Sequence, residues 1–219
     1  MKSFGPRAFA LACLAVSTLS GVPLAAAAEI LLIGGTGGAL GTMQRLINAY
    51  RGLHPERRVA LVSASLGTGG AIRALADGRI GIALAGRALT EREQAFGFRA
   101  FPYARTPLAF IAHEAVTDTD LTTQTLTEIY RGRRTDWSDG RRCRPILRPA
   151  KDADTMVLRE FAPELAEALD VAATRADLQV ALTNQENTEI VQSMSGAFGY
   201  APRAQLESER SRLRILRFN

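Results

Sequence analysis

The chain has 219 residues, of which 47% are hydrophobic and 22% charged, and it carries a formal charge of +5 with two cysteines and two histidines. So mild a positive balance is no nucleic-acid footprint, and so few cysteines cannot build a disulfide framework. His54 and His113 each lack a second ligand at helical spacing, which leaves no metal-binding cluster to read.

The N-terminus reads as an export signal. Lys2 and Arg7 open it, Ala8 to Leu19 is an uncharged apolar run, and Pro23-Leu24-Ala25-Ala26-Ala27-Ala28 supplies small residues for cleavage near Ala28. The apolar run is shorter than the roughly 20 residues a spanning helix needs. Ala10-Leu11-Ala12 before Cys13 fits a lipid-attachment box poorly. The expected product starts near Glu29, is periplasmic or secreted, and keeps Cys143 as its only cysteine. Losing Lys2 and Arg7 lowers the formal charge from +5 to +3.

Ile30 to Ile33 reads as a buried strand. Leu40, Met43, Leu46, Ile47 and Tyr50 follow at three- and four-residue steps, which marks an amphipathic helix closed by His54-Pro55. Val59 to Val62 is a second strand, Ile72, Leu75 and Ala76 mark a short helix ending at Gly78, and Ile80 to Leu84 is a third strand. This alternation argues for a mostly parallel sheet flanked by helices. Phe98 to Tyr103 and Pro107 to Ala112 are strand-like, Leu121 to Tyr130 is helical, and a polar loop from Arg131 to Arg144 precedes a brief strand at Pro145 to Arg148. Asp154 to Ala162 is helical with Pro163 at its end or kink. Thr188 to Met194 is helical, and Gly196 to Tyr200 returns to strand before a last helix and a terminal Leu213 to Leu216 segment. No Gly/Ser or Pro linker is present, so two lobes would be joined by structured crossings. The expected division is 29–105 and 189–219 for lobe I and 106–188 for lobe II, after the leader at 1–28.

Two glycine turns stand out: Gly35-Thr36-Gly37-Gly38 and Gly67-Thr68-Gly69-Gly70. Each lies between an extended run and a helical one, where unpaired N–H groups and the helix dipole favour an anion. The first turn is close to a dinucleotide fingerprint. Counted from Gly35, however, that pattern puts Leu40 where its third glycine belongs, leaving only a looser variant that ends at Gly41, and the second strand ends in Ser63-Ala64-Ser65 without a ribose-binding acid. A P-loop lysine is absent, as is a Gly-x-Ser-x-Gly elbow for nucleophilic hydrolysis.

The two turns, with Gly78-Arg79-Ile80-Gly81-Ile82-Ala83 and Arg87, resemble the first lobe of the phosphate-type periplasmic substrate-binding proteins of ABC transporters. Thr106 to Phe110 resembles that family's crossing strand. Leu126 to Gly132 with Trp137-Ser138-Asp139-Gly140 resembles its helix-and-tryptophan segment, and Gly196 to Tyr200 its return strand. The resemblance implies an α/β two-lobed periplasmic-binding-protein fold, each lobe a mostly parallel sheet flanked by helices, with a ligand cleft between the lobes. It implies a solute-binding protein, not an enzyme, that captures a small oxyanion such as phosphate. It would act as a monomer, without cofactor, metal or nucleic acid, and with an ABC permease complex as its partner.

Carried over from that family, Thr36 and Gly37 of the first loop, Thr68 and Gly69 of the second, and Arg148 would hold the anion. Arg87, Asp152 and Thr155 complete the candidate set. The family's Ser-Gly-Thr loop falls on Asp152-Ala153-Asp154, or after a one-residue shift on Ala153-Asp154-Thr155. The carboxylate with which the family accepts a proton from phosphate falls on Gly86. An ionised acid about 4 Å from an anion costs on the order of 4 kcal/mol, so Asp152 or Asp154 facing the cleft would call for Arg87, Arg148 or Lys151 in compensation. One of these two acids would accept the proton of monohydrogen phosphate in place of the missing carboxylate; for Asp154 the alternative is that it caps a helix starting at Thr155. Two alternatives belong to other classes: a sensor or interaction module of the same fold without transport-grade affinity, and an exported nucleotide-binding oxidoreductase.

Overall fold

The computed structural model describes residues 30–219; the expected leader, its cleavage site and Cys13 lie outside them. Strand β1 (Leu31–Gly35), helix α1 (Gly37–Leu53), strand β2 (Val59–Leu61), helix α2 (Gly67–Ala76) and strand β3 (Ile82–Leu84) follow one another along the chain. They form a three-stranded parallel sheet of order β2-β1-β3. Ile33, Leu40, Ile47, Val59 and Leu84 are its buried core. The close passage of β1 along β3 requires glycine at position 35, where a Cβ would lie 2.2 Å from the Leu84 carbonyl oxygen.

A short helix α3 (Glu91–Gln94), held by a Thr90/Glu93 capping box, leads through an exposed stretch to β4 (Leu108–Ala112). Then come β5 (Asp120–Leu121), α4 (Thr123–Tyr130), β6 (Arg144–Leu147), α5 (Ala153–Phe161), α6 (Pro163–Ala173), β7 (Gln179–Val180), α7 (Asn184–Ser193), β8 (Ala197–Pro202), α8 (Arg203–Ser208) and β9 (Arg214–Phe218). These strands make a six-stranded mixed sheet of order β5-β9-β4-β8-β6-β7. Its main core joins Leu126, Ile129 and Tyr130 of α4 to Leu165 and Leu169 of α6 and to Phe198 and Tyr200 of β8. Trp137 packs edge-on against Phe198 at 5.5 Å between centroids, and its indole N–H donates to the Gly196 carbonyl at 2.9 Å. Thus the tryptophan loop and the return strand, which are far apart in sequence, are tied together.

The architecture is the two-lobed α/β arrangement that the sequence led us to expect. Its strand assignment differs in detail. The C-terminal strands β8 and β9 pair with β4 in the larger sheet, and the contact of this segment with the small sheet's lobe is made by helices. Arg45 of α1 donates to the Glu207 and Ser208 carbonyls of α8. Phe98 to Tyr103, expected as a strand, runs without strand pairing and largely exposed. Pro163 begins α6, in the first helical position where its missing N–H costs nothing.

Among the described residues no helix is long and apolar enough to cross a membrane, and no cluster of three or more His, Cys, Asp or Glu could hold a metal. Cys143 is buried, which pushes its thiol up to about 12 and keeps it protonated.

Candidate functional site

Four helix N-termini meet at the junction of the two sheets. Thr36 caps α1 in an extended conformation, and its hydroxyl makes no cap bond, so it is free for another partner. Gly67 opens α2 with a φ of 62°, a left-handed turn that favours glycine. Beside it the Thr68 hydroxyl accepts the backbone N–H of Gly86 at 3.0 Å. Gly86 is where α5 comes close: a Cβ there would lie 3.0 Å from the Cβ of Ala153, and 3.6 and 3.7 Å from Cγ2 and Oγ1 of Thr36. The start of α1 also faces α7, since a Cβ on Gly37 would lie 2.4 Å from Gln185 Oε1 and 2.9 Å from the Cβ of Asn184. Gln185 Nε2 donates to the Gly37 carbonyl at 3.1 Å.

The charged centre lies between β6, α5 and α7. Arg148 follows β6, and its side chain is only 2% exposed. Its Nη2 donates to Asp152 Oδ2 at 2.6 Å and reaches Asn184 Oδ1 at 3.5 Å. Nε and Nη1 of the same guanidinium are buried without a hydrogen-bond partner among the described residues. Leaving such donors unpaired costs about 1–3 kcal/mol each or more when charged, so this is a group prepared to receive an acceptor.

Asp152 is the true N-cap of α5, accepting the Asp154 N–H at 3.1 Å. The alternative of Asp154 as cap for a helix starting at Thr155 is therefore corrected: the helix starts at Ala153, two residues earlier. Asp154 instead accepts the Asn184 side-chain N–H at 2.6 Å. Burial first, and then the neighbouring Asp152 charge, push its carboxyl up to about 6, against opposing contributions from Asn184 and Arg148.

The structure thus brings Thr36, Gly37, Thr68, Arg148 and Asp152 into one neighbourhood. Gly69 lies in α2 beside its own Arg73, 3.7 Å from Nη1 to the place of a Cβ. Arg87 is engaged within its own segment. It forms a two-pronged ion pair with Glu93 at 2.7 and 2.9 Å, and the arginine holds that carboxyl down at about 2. Thr155 is buried with its hydroxyl 2.7 Å from the Tyr200 hydroxyl. Asn184 and Tyr200 were absent from the sequence-derived set. For Asn184 a signal existed: Thr183 and Glu186 have capping-box spacing, and the Thr183 hydroxyl does accept the Glu186 N–H. That places the start of α7 at Asn184 rather than at Thr188.

A family model described as a PBP superfamily domain matches residues 21–213. No curated protein matches the chain. Among solved structures it resembles a substrate-binding protein assigned to a phosphate ABC transporter of Clostridium perfringens, determined with bound phosphate. The identity is 19%, over 87% of this chain and 76% of that one, with a TM-score of 0.72. An ABC-type phosphate transport receptor from Vibrio cholerae is 22% identical over 87% and 76% of the two chains, with a TM-score of 0.56. The regulatory domain of Synechocystis CcmR in complex with 2-PG is 15% identical over 87% and 81%, with a TM-score of 0.58. Likeness at these identities is likeness of fold.

Proposed function

We propose that this chain, which belongs to the PBP superfamily, is a solute-binding protein that captures a small oxyanion, phosphate foremost, between its two lobes. The observation that carries this reading is the Arg148 guanidinium, 2% exposed, with two donors unspent, beside the converging starts of α1, α5 and α7. An oxyanion with several acceptor oxygens satisfies those donors and the amides of the helix starts together. The phosphate transport proteins among its structural neighbours favour the same ligand class.

The chemistry is capture without reaction. Ligand recruits Arg148 and the Thr36 and Thr68 region from opposite lobes, so binding and lobe closure are one event, with hinge motion in the segments that cross between the sheets. Asp154, its carboxyl raised to about 6 by burial and by the neighbouring Asp152 charge, is less repulsive to an anion in mild acid than an ordinary carboxylate would be. Its carboxyl is also suited to share a hydrogen with a protonated phosphate oxygen, in place of the carboxylate missing at Gly86. Export to the periplasm and delivery to an ABC permease complement this reading, with the protein acting as a monomer.

Thermal melting tests the proposal. With 1 mM phosphate and a dissociation constant of about 1 µM, binding adds about 4 kcal/mol, which for a chain of this size raises Tm by roughly 8–16 °C. No shift with phosphate, arsenate or sulfate at that concentration removes the oxyanion assignment.

A further inference from the structure

We propose that Tyr200 is a positioning residue for ligand capture: its hydroxyl donates to Thr155 and thereby turns the Thr155 hydroxyl into a hydrogen-bond donor for the bound oxyanion. The inference rests on the anion-capture reading above and names a residue that acts through another.

Tyr200 is 1% exposed on β8, and its ring packs into the main core. Its hydroxyl lies 2.7 Å from Thr155 Oγ1, in the first turn of α5. By distance alone either oxygen could donate. The donor is the phenol, the more acidic and less basic of the two hydroxyls. Among the described residues neither oxygen has another hydrogen-bond partner, so one hydrogen is left over, and with Tyr200 donating it is the hydrogen of Thr155.

That hydrogen has no acceptor among the described residues. Thr188 and Thr174 turn their hydroxyls back on helical carbonyls, Thr188 onto Asn184 and Gln185 at 3.3 and 2.9 Å and Thr174 onto Val171 at 2.8 Å, whereas the Thr127 hydroxyl of α4 is buried without a partner among the described residues. Thr155, 3% exposed, makes no such bond. What sets Thr155 apart is its place in the same helical turn as Asp152, which holds Arg148, so its spare hydrogen is available to an oxyanion bound there. The neighbourhood fits: the Tyr200 hydroxyl senses the charges on Asp152, Arg148 and Asp154. Burial raises its pKa and keeps it protonated, as a constant donor must be.

The test is a double-mutant cycle on phosphate affinity, measured by calorimetry on the purified protein with Tyr200→Phe, Thr155→Val and the combination. Tyr200→Phe removes one oxygen and keeps the packed ring. It is expected to weaken phosphate binding about tenfold, and Thr155→Val by a similar or larger factor. The combined variant is expected to bind no more weakly than Thr155→Val alone, because the tyrosine acts only through the threonine. Thr155→Ser, which keeps the hydroxyl, is expected to stay within about threefold of wild type. A Tyr200→Phe protein that binds phosphate as wild type does, losses that multiply in the combination, or a serine variant as weak as the valine one would each overturn the proposal. Wild-type protein that binds no phosphate would overturn the capture reading itself, and this inference with it.

Discussion

Arg148 and Asp152 are four residues apart, one at the end of β6 and the other capping α5, and their side chains meet at 2.6 Å with the arginine almost wholly buried. The pair consumes only part of the guanidinium, since Nε and Nη1 stay unpartnered among the described residues. Asp152 therefore orients the arginine without neutralising its capacity to bind. An oxyanion arriving there replaces no existing bond of those two donors.

Replacing Arg148 with alanine is expected to remove most of the phosphate affinity. Two charge-assisted hydrogen bonds of about 1.5–3 kcal/mol each correspond to a loss of at least about a hundredfold. Arg148→Lys should lose most of that affinity as well, because a single ammonium cannot serve Asp152 and a ligand with the same fork. Calorimetric titration of both variants with phosphate checks the expectation.

Replacing Arg87 with alanine is expected to change phosphate affinity by less than about threefold, since Glu93 already holds both ends of its guanidinium. The cost should fall on stability instead. Glu93 is held at about 2 by this pair, so the contribution is present above the ordinary carboxylate range and fades as the pH falls from about 4.5 toward 2. Melting of wild type and Arg87→Ala should differ at pH 7 and converge in acid.

Asp154 behaves in the opposite sense. Its carboxyl is raised from the usual range to about 6, so the folded chain holds this proton more tightly than the unfolded chain does. Its contribution is most favourable below about pH 4 and is lost as the pH rises toward 6. Asp154→Asn keeps an oxygen for the Asn184 amide and removes the charge. It should raise Tm at pH 7.5 by several degrees, about 2 kcal/mol, and flatten the dependence of Tm on pH between 4 and 7. An unchanged pH profile would show that Asp154 titrates normally.

Gly86 reports on closure. A Cβ at this position lies 3.0 Å from Ala153 across the junction, so the branched side chain in Gly86→Val should hold the lobes apart. The expected outcome is a loss of phosphate affinity of tenfold or more, about 1.4 kcal/mol, while the ligand-free Tm moves by no more than about 2 °C. Comparable losses in both would mean that the contact supports the fold rather than the ligand.

Much of this was legible in the chain because it depends on local chemistry. Gly35-Thr36-Gly37-Gly38 and Gly67-Thr68-Gly69-Gly70 declare helix starts wherever they fold, and Arg148 with Asp152 lies within one strand-to-helix turn. What could not be read is what distant segments bring. Tyr200 and Asn184 reach the site only through the pairing of β8 with β4 and the placement of α7, and nothing local to either residue encodes that meeting. The pairing of Arg87 was unreadable for the same kind of reason: a cation beside a candidate loop says nothing about whether Glu93, six residues on, will claim it. The five-residue strand β9 likewise has no local mark of its partners β4 and β5.

The central claim is capture of an oxyanion at Arg148, and calorimetric titration of the wild-type protein with phosphate near neutral pH tests it most directly. The account predicts saturable binding of one phosphate per chain with a dissociation constant of about 1 µM or tighter, equivalent to about 8 kcal/mol, and the loss of most of that affinity in Arg148→Ala. A wild-type protein that shows no saturable binding of phosphate, arsenate or sulfate, or an Arg148→Ala variant that binds as tightly as wild type, would contradict it.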